Sequence, residues 1–359
     1  MTYNFTFKKI KKTDILMIDK DYSELKLGKH KKEIFDYKTI YLHILFKSLF
    51  LYFLKNKNKK LKDIYLKLYF QKLNPKIIIG HQANGLIYEV KRHSPKSKII
   101  AYLHCRLYLF QFGEVIDYLK KNSSADSQID YFFVCDQIHI NYLKNYTKAK
   151  FLIGGLLKNN EIKLKKRKYK YDIAYVSEYR NIVYPKKEKH FYYMKYIAKI
   201  LNEYALKNPN KNIVIILNSL RKDKKIPIQE EIDFFKKCSP DLKIAFDKSS
   251  YDSCNLSKLL IILNSNLGAE FLSRGKKVLF LPYLNKLGII YYNLYFKKNI
   301  SFASQKLNKR IIFNKIQEIS KLSTQSWKKK VINSKINIKF DQNNKKFKKL
   351  INKIIKDHK

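Results

Sequence analysis

Cysteine is scarce and scattered in this chain. Cys105, Cys135, Cys238 and Cys254 form no CxxC pair, which points to reduced thiols rather than a disulfide frame or a zinc site. Acidic residues are also few, with 29 Asp and Glu against 76 Lys and Arg, a formal charge of +47. Such an excess ordinarily suggests nucleic acid or an anionic membrane. Here it runs along nearly the whole chain beside abundant Asn, Ile, Tyr and Phe, as in proteins of AT-biased genomes. The charge alone therefore names no partner, and no specific nucleic acid is expected. Long apolar runs are missing too. Ile40 to Leu54 is the most hydrophobic segment, but His43 and Lys47 interrupt it, and it is shorter than a spanning helix needs. Met1 to Lys12 has no apolar signal-peptide core, so a cytoplasmic protein is expected. Familiar motifs are absent as well: no GxxxxGK[ST], no GxGxxG after the first strand, no HExxH and no G-x-S-x-G.

What remains is ample material for cores. Hydrophobic residues make up 45% of the chain and aromatics 14%, which excludes a disordered polycation. With 359 residues there is room for two domains. Short apolar runs predict strands at Asp14 to Ile18, Ile77 to Ile79, Ile99 to Leu103, Tyr131 to Val134 and Phe151 to Ile153. Helical stretches separate them, at Lys31 to Gln71, Gly85 to Arg92, Glu114 to Lys121 and Gln137 to Tyr146. Lys158 to Lys170 is lysine-dense and reads as a linker. The alternation then begins again, with strands at Asp172 to Val176, Ile213 to Leu217, Leu242 to Phe246, Leu259 to Leu263 and Val278 to Leu281. Helices are expected at Lys187 to Leu206 and Glu230 to Cys238. Strands alternating with helices argue for α/β halves with parallel sheets. The resulting division is a first domain over 1–157, a linker over 158–170, a second domain over 171–330 and a basic helical C-terminal tail over 331–359.

In open parallel sheets, ligands bind beyond the carboxyl ends of the strands. In the first half the polar residues there are Asp19, Lys20, His81, Gln82, His104 and Arg106. Two histidines and a carboxylate suit proton abstraction from a hydroxyl, so His81, His104 and Asp19 are the candidate bases. In the second half the strand ends carry Ser177, Glu178, Arg180, Asn218, Ser219, Arg221, Ser250, Tyr251 and the segment Ser265 to Glu270. Two arginines, several hydroxyls and a helix N-terminus are anion-binding chemistry. Asn264 or Ser265 can cap that helix and Gly275 can end it. Small residues at Ser265 and Gly268 would let a phosphate approach the backbone, with Glu270 one turn on for a ribose hydroxyl. A capped βαβ unit holding no ligand would show the same pattern.

The run Ile262-Leu-Asn-Ser-Asn-Leu-Gly-Ala-Glu-Phe-Leu-Ser-Arg-Gly-Lys-Lys-Val-Leu-Phe280 resembles the signature D-S-T-L-G-Y-E-A-L-A-R-G-K-K-V-A-F-F. That signature belongs to O-antigen and surface-polysaccharide biosynthesis proteins of the GT-B glycosyltransferase fold. Tyr171-Asp-Ile-Ala-Tyr-Val-Ser-Glu-Tyr-Arg180 and Ser249-Ser-Tyr-Asp252 are similar to further elements of the family, as are Asp14 to Lys20 and the segment ending His104-Cys-Arg106. The chain departs from it in reading Asn264-Ser-Asn266 for Asp-Ser-Thr, and Leu103-His-Cys105 for Gln-Asn-Gly.

The resemblance implies two Rossmann-like domains with a central cleft, and a nucleotide-sugar as co-substrate without further cofactor or metal. Ser265, Asn266 and Gly268 would meet donor phosphate and Glu270 the ribose, with Ser177, Arg180, Arg221 and Tyr251 completing the donor site. The acceptor would be a lipid-linked glycan. A nucleotide-sugar epimerase of the same fold is the nearest alternative, and a non-catalytic anion-binding protein the next. Two basic amphipathic segments, Ile40 to Leu54 and Lys346 to Lys356, give the expectation of peripheral contact with anionic inner membrane. For the second of these, packing back across the domain junction is the favoured reading.

Overall fold

A computed structural model describes residues 3–19, 25–55, 60–103, 109–121, 129–165, 167–179, 189–218, 228–281, 300–304, 307–334, 336 and 338–358. The chain divides into two compact units, Met1–Ile162 with Asp341–Lys359, and Lys163–Phe340. The boundary falls inside the stretch read as a linker. Residues 341–359, read as part of a separate tail, belong to the first unit.

In the first unit β1 (Asn4–Thr6), β2 (Ile15–Met17), β3 (Lys32–Ile34) and β4 (Thr39–Tyr41) precede α1 (Leu42–Lys55) and α2 (Leu61–Leu73). Then come β5 (Ile77–His81), α3 (Val90–His93), β6 (Lys98–Tyr102) and α4 (Leu109–Lys121). The series closes with β7 (Tyr131–Val134), α5 (Gln137–Leu143), β8 (Lys150–Ile153) and α6 (Leu157–Glu161). Six strands form one parallel sheet in the order β3-β2-β5-β6-β7-β8, while β1 and β4 pair separately. The segment expected to be helical from Lys31 to Gln71 thus begins with two strands. Its first residues pair with the edge of β2, with Phe35 N–H donating to Met17 O at 2.7 Å, and that tertiary pairing overrides local pattern.

The continuous apolar runs have a direct cause: both faces of this sheet are covered. Leu16, Ile78, Ile99, Ala101 and Phe132 enter one core, shared with Leu66, Tyr69 and Phe70 of α2. The alternate residues Ile15, Met17, Ile77, Ile79, Ile100, Tyr102 and Phe133 enter another, closed by Phe347, Ile351, Ile354 and Ile355.

The second unit contains β9 (Tyr171–Val176), α7 (Lys189–Leu206), β10 (Ile213–Ile216), α8 (Ile228–Cys238), β11 (Lys243–Ala245) and α9 (Ser250–Asn255). It continues with β12 (Ser257–Ile262), α10 (Asn266–Ser273), β13 (Lys277–Phe280), α11 (Lys309–Lys321) and α12 (Thr324–Asn333). Its sheet is parallel, in the order β11-β10-β9-β12-β13. The last helix, α13 (Lys345–Asp357), returns to the first unit. Its apolar stripe is buried there, with Phe347 and Ile351 wholly inaccessible. That burial removes α13 from the segments available to a membrane.

Candidate functional site

Both sheets reverse their strand order beside their first strand, and such a reversal opens a crevice at the strands' carboxyl ends. In the second unit the order runs outward from β9 to β10 and β11 on one side, and through β12 and β13 on the other. In the first it reverses between β2 and β5. A pair of polar side chains or backbone groups bridges each reversal.

At the β9–β12 reversal, the Glu178 carboxylate accepts a hydrogen bond from the N–H of Asn264. The loop beyond β9 is held from within. Ser177 is buried and its Oγ accepts the Tyr179 N–H at 3.1 Å. Asn218 donates to Tyr179 O at 2.7 Å, and its own N–H reaches the buried Glu231 at 2.8 Å. Ser177 therefore shapes the loop from beneath. Arg180 and Arg221, the two arginines predicted here, lie outside the described residues, as does His104.

Just past β12, Ser265 caps α10, its side chain accepting from Leu267 N–H at 3.4 Å. The first helical residue, Asn266, has a buried amide oxygen with no hydrogen-bond partner among the described residues. At the other end Gly275 takes φ +82°, its N–H bonding Leu272 O at 2.9 Å while Lys276 N–H bonds Phe271 O at 3.0 Å. This is a Schellman stop of the kind glycine permits. One turn into α10, the buried Glu270 accepts a hydrogen bond from the Tyr251 hydroxyl. The predicted ribose carboxylate and the predicted donor-site tyrosine are thus brought together. Arg274 caps the end of that helix, its guanidinium lying 4.2 Å from the Phe340 ring centroid. Burial lowers its pKa, opposed by the charges of Tyr251 and Glu270. Arg274 was missed in the sequence, although the Arg-Gly ending of the motif contains it.

Gly268 has a packing reason for being small. A Cβ there would come within 2.7 Å of Phe280 Cε1 and 3.1 Å of Ile262, and its N–H already bonds Ser265 O at 3.1 Å. It lets α10 lie against β12 and β13. Gly268→Val is accordingly expected to destabilise the second unit by about 1–3 kcal/mol through overpacking. Urea unfolding measures this, and an unshifted midpoint would contradict it.

At the β2–β5 reversal the structure unites two of the three candidate bases. The buried Asp19 accepts the His81 backbone N–H at 2.5 Å through Oδ2, and its Oδ1 lies 3.2 Å from His81 Nε2. Asn84 Nδ2 donates to the same Oδ1 at 2.7 Å. His81 Nδ1 accepts from Ala83 N–H at 3.1 Å, so in the neutral ring the proton belongs on Nε2, facing the carboxylate. Asn84 also caps the short 3-10 turn Gly85–Tyr88 and lies 2.8 Å from the Tyr37 hydroxyl. Burial pushes the Tyr37 phenol up to about 12. Neither Asn84 nor Tyr37 was foreseen; the Asn-Gly step at 84–85 was the available signal for the cap.

Comparisons with known proteins agree with this architecture. Residues 110–355 match a family described as "putative O-antigen biosynthesis protein". No curated protein sequence matches the chain. Among solved structures, a "putative UDP-N-acetylglucosamine 2-epimerase from Listeria monocytogenes" is similar at TM-score 0.57 and 10% identity, over 97% of this chain and 98% of that one. A UDP co-structure of MnaA from S. aureus gives TM-score 0.51 and 11% identity, over 93% of this chain and 94% of the other. The "Glycotransferase of kitacinnamycin" gives 0.48 and 9%, over 82% and 79% respectively. The fold class is α/β with two Rossmann-like units of the GT-B type and a helical C-terminal segment.

Proposed function

The chain belongs to the family described as "putative O-antigen biosynthesis protein", and from that premise we propose that it transfers a sugar from a nucleotide-sugar donor to a surface-polysaccharide acceptor. The observation that carries this reading is the β9–β12 strand-order reversal with α10 opening directly beyond it. A helix N-terminus at that position suits a diphosphate. In this reading Ser265 and Asn266 meet the donor phosphates, Glu270 and Tyr251 hold the ribose, and Arg180 and Arg221 join the phosphate side. Arg274 balances the Glu270 charge, while Ser177 and Gly268 support the site by shaping its loop and helix.

The acceptor, a lipid-linked glycan, attacks the anomeric carbon through a hydroxyl oxygen, and the bond from that carbon to the nucleotide phosphate breaks. Negative charge then gathers on the leaving phosphate, where a preorganised positive helix end and arginines lower the barrier without a metal. The candidate base for the acceptor's proton is His81. Asp19 keeps His81 Nε2–H in place and would balance the imidazolium, while the acceptor hydroxyl takes the place of Ala83 N–H at Nδ1. His104 is the alternative base.

A second reading, nucleotide-sugar epimerisation, draws on the similarity of fold to a protein titled as a 2-epimerase. Incubation with a nucleotide-sugar panel, with and without lipid-linked acceptor, separates the two. Free nucleotide released only with acceptor supports transfer, an altered sugar without acceptor supports epimerisation, and neither result leaves a binding protein. Glu270→Gln is expected to weaken nucleotide-sugar binding about tenfold, near 1.4 kcal/mol. Calorimetry on the folded variant checks this, and undiminished affinity would remove Glu270 from the site.

A further inference from the structure

Helix α1 is apolar on more than its core-facing side. Ile44 and Ser48 are buried, and the Ser48 hydroxyl donates to Ile44 O at 2.7 Å. On the outward side Phe46, Phe50, Phe53 and Leu54 are 58%, 63%, 66% and 61% exposed. Their spacing places them on one ridge along the helix. A run of large exposed apolar side chains marks a surface meant to be covered.

Charge accompanies the ridge. A cavity of about 200 Å³ between α1 and α2 is lined by His43, Lys47 and Lys72 with Ile44, Leu68 and Gln71. Lys60, Lys62 and Lys67 are exposed on the same helix pair. Its carboxylate, Asp63, already pairs with Arg92 at 3.4 Å and His93 at 3.6 Å. The face therefore combines an apolar ridge with several lysines.

We propose that the α1–α2 face docks on an anionic phospholipid bilayer. The phenylalanine ridge enters the acyl boundary, and His43, Lys47 and Lys72 meet lipid phosphate. Charge selects this occupant over a second copy of the chain, because a two-fold contact would bring the same cationic groups against themselves. An anionic bilayer supplies opposite charge at its surface and apolar contact just beneath, which is how interfacial helices bind. The inference stands on this surface alone and does not depend on the donor chemistry.

The full-length protein should float with vesicles of phosphatidylcholine and phosphatidylserine at low salt, and much less with phosphatidylcholine alone. Raising ionic strength should release it, as screening shortens the reach of the lysines. The variant Phe46→Ser, Phe50→Ser, Phe53→Ser should bind at least about tenfold more weakly, with its melting temperature retained because these side chains are exposed. Lys47→Glu with Lys72→Glu should lose the preference for phosphatidylserine. Unchanged flotation of the phenylalanine variant would overturn the proposal. So would failure of the native protein to float, or a concentration-dependent dimer abolished by the same substitutions.

Discussion

Deleting residues 341–359 is expected to unfold the first unit while the second retains its own melting transition. Phe347, Ile351, Ile354 and Ile355 of α13 are all at most 4% exposed and line the same core as Ile15, Met17, Ile77 and Ile79. Burying each such side chain contributes about 1.5–3 kcal/mol. Losing all of them approaches the whole stability of an ordinary domain, about 5–15 kcal/mol. Polar contacts go with them. Asn344, fully buried, donates to Leu157 O at 2.9 Å and to Glu161 at 3.0 Å, and accepts from Asn160 at 2.8 Å. Calorimetry should show one transition in the truncated chain where the full chain gives two, or one larger one. Ile351→Asp should act in the same direction without shortening the chain. A truncated protein with an unaltered thermogram would sink the expectation.

Asp19→Ala should be the most damaging single change at the β2–β5 reversal. It would leave the His81 backbone N–H, the Asn84 amide and the His81 ring facing a void where a buried carboxylate had accepted from each. Removing one partner of a buried charged network costs about 3–5 kcal/mol. Asp19→Asn is not a benign control, because its amide would turn donors toward donors. Urea unfolding should register the loss. If the base assignment holds, variants still folded at low temperature should lose turnover yet keep nucleotide-sugar affinity, since the change lies in the first unit. A loss of donor affinity with turnover preserved would contradict that assignment.

These expectations rest unevenly on what the residue order alone reveals. Strands buried on both faces announced themselves, because Ile77 to Ile79 and Leu259 to Ile262 have no polar side to show. So did the limits of α10, where Ser265 and Gly275 do local jobs of capping and stopping. Features decided by distant partners did not. Strands β3 and β4 were hidden in a segment read as helix, because β3 exists through its pairing with β2. Helix α9 was not expected, since Ser250 and Tyr251 were read only as residues beyond a strand end. The stripe on α13 was visible, but not which unit would cover it. The Asp19–His81 pair joins residues far apart in the chain, each visible as a strand end and neither pointing to the other. For Gly268 the residue type was noticed but not its packing, because Phe280 and Ile262 press on it from the sheet. Arg180, Arg221 and His104 lie outside the described residues, so their part stays with the proposal.

The return of α13 to the first unit also sets an order of events during synthesis. The first sheet is complete once residue 153 has emerged, yet one of its faces lacks Phe347, Ile351, Ile354 and Ile355 until residues 347–355 follow. The second unit, Lys163–Phe340, lies wholly inside that interval. The usual precedence of the N-terminal domain on the ribosome is therefore expected to be reversed, with the later unit finishing first. Until then the nascent first unit exposes Ile15, Met17, Ile77, Ile79 and Ile100, and closing so long a loop is slow. Pulse-labelling with limited proteolysis should find protected second-unit fragments before first-unit ones, and holdase chaperones should bind mainly the N-terminal sheet.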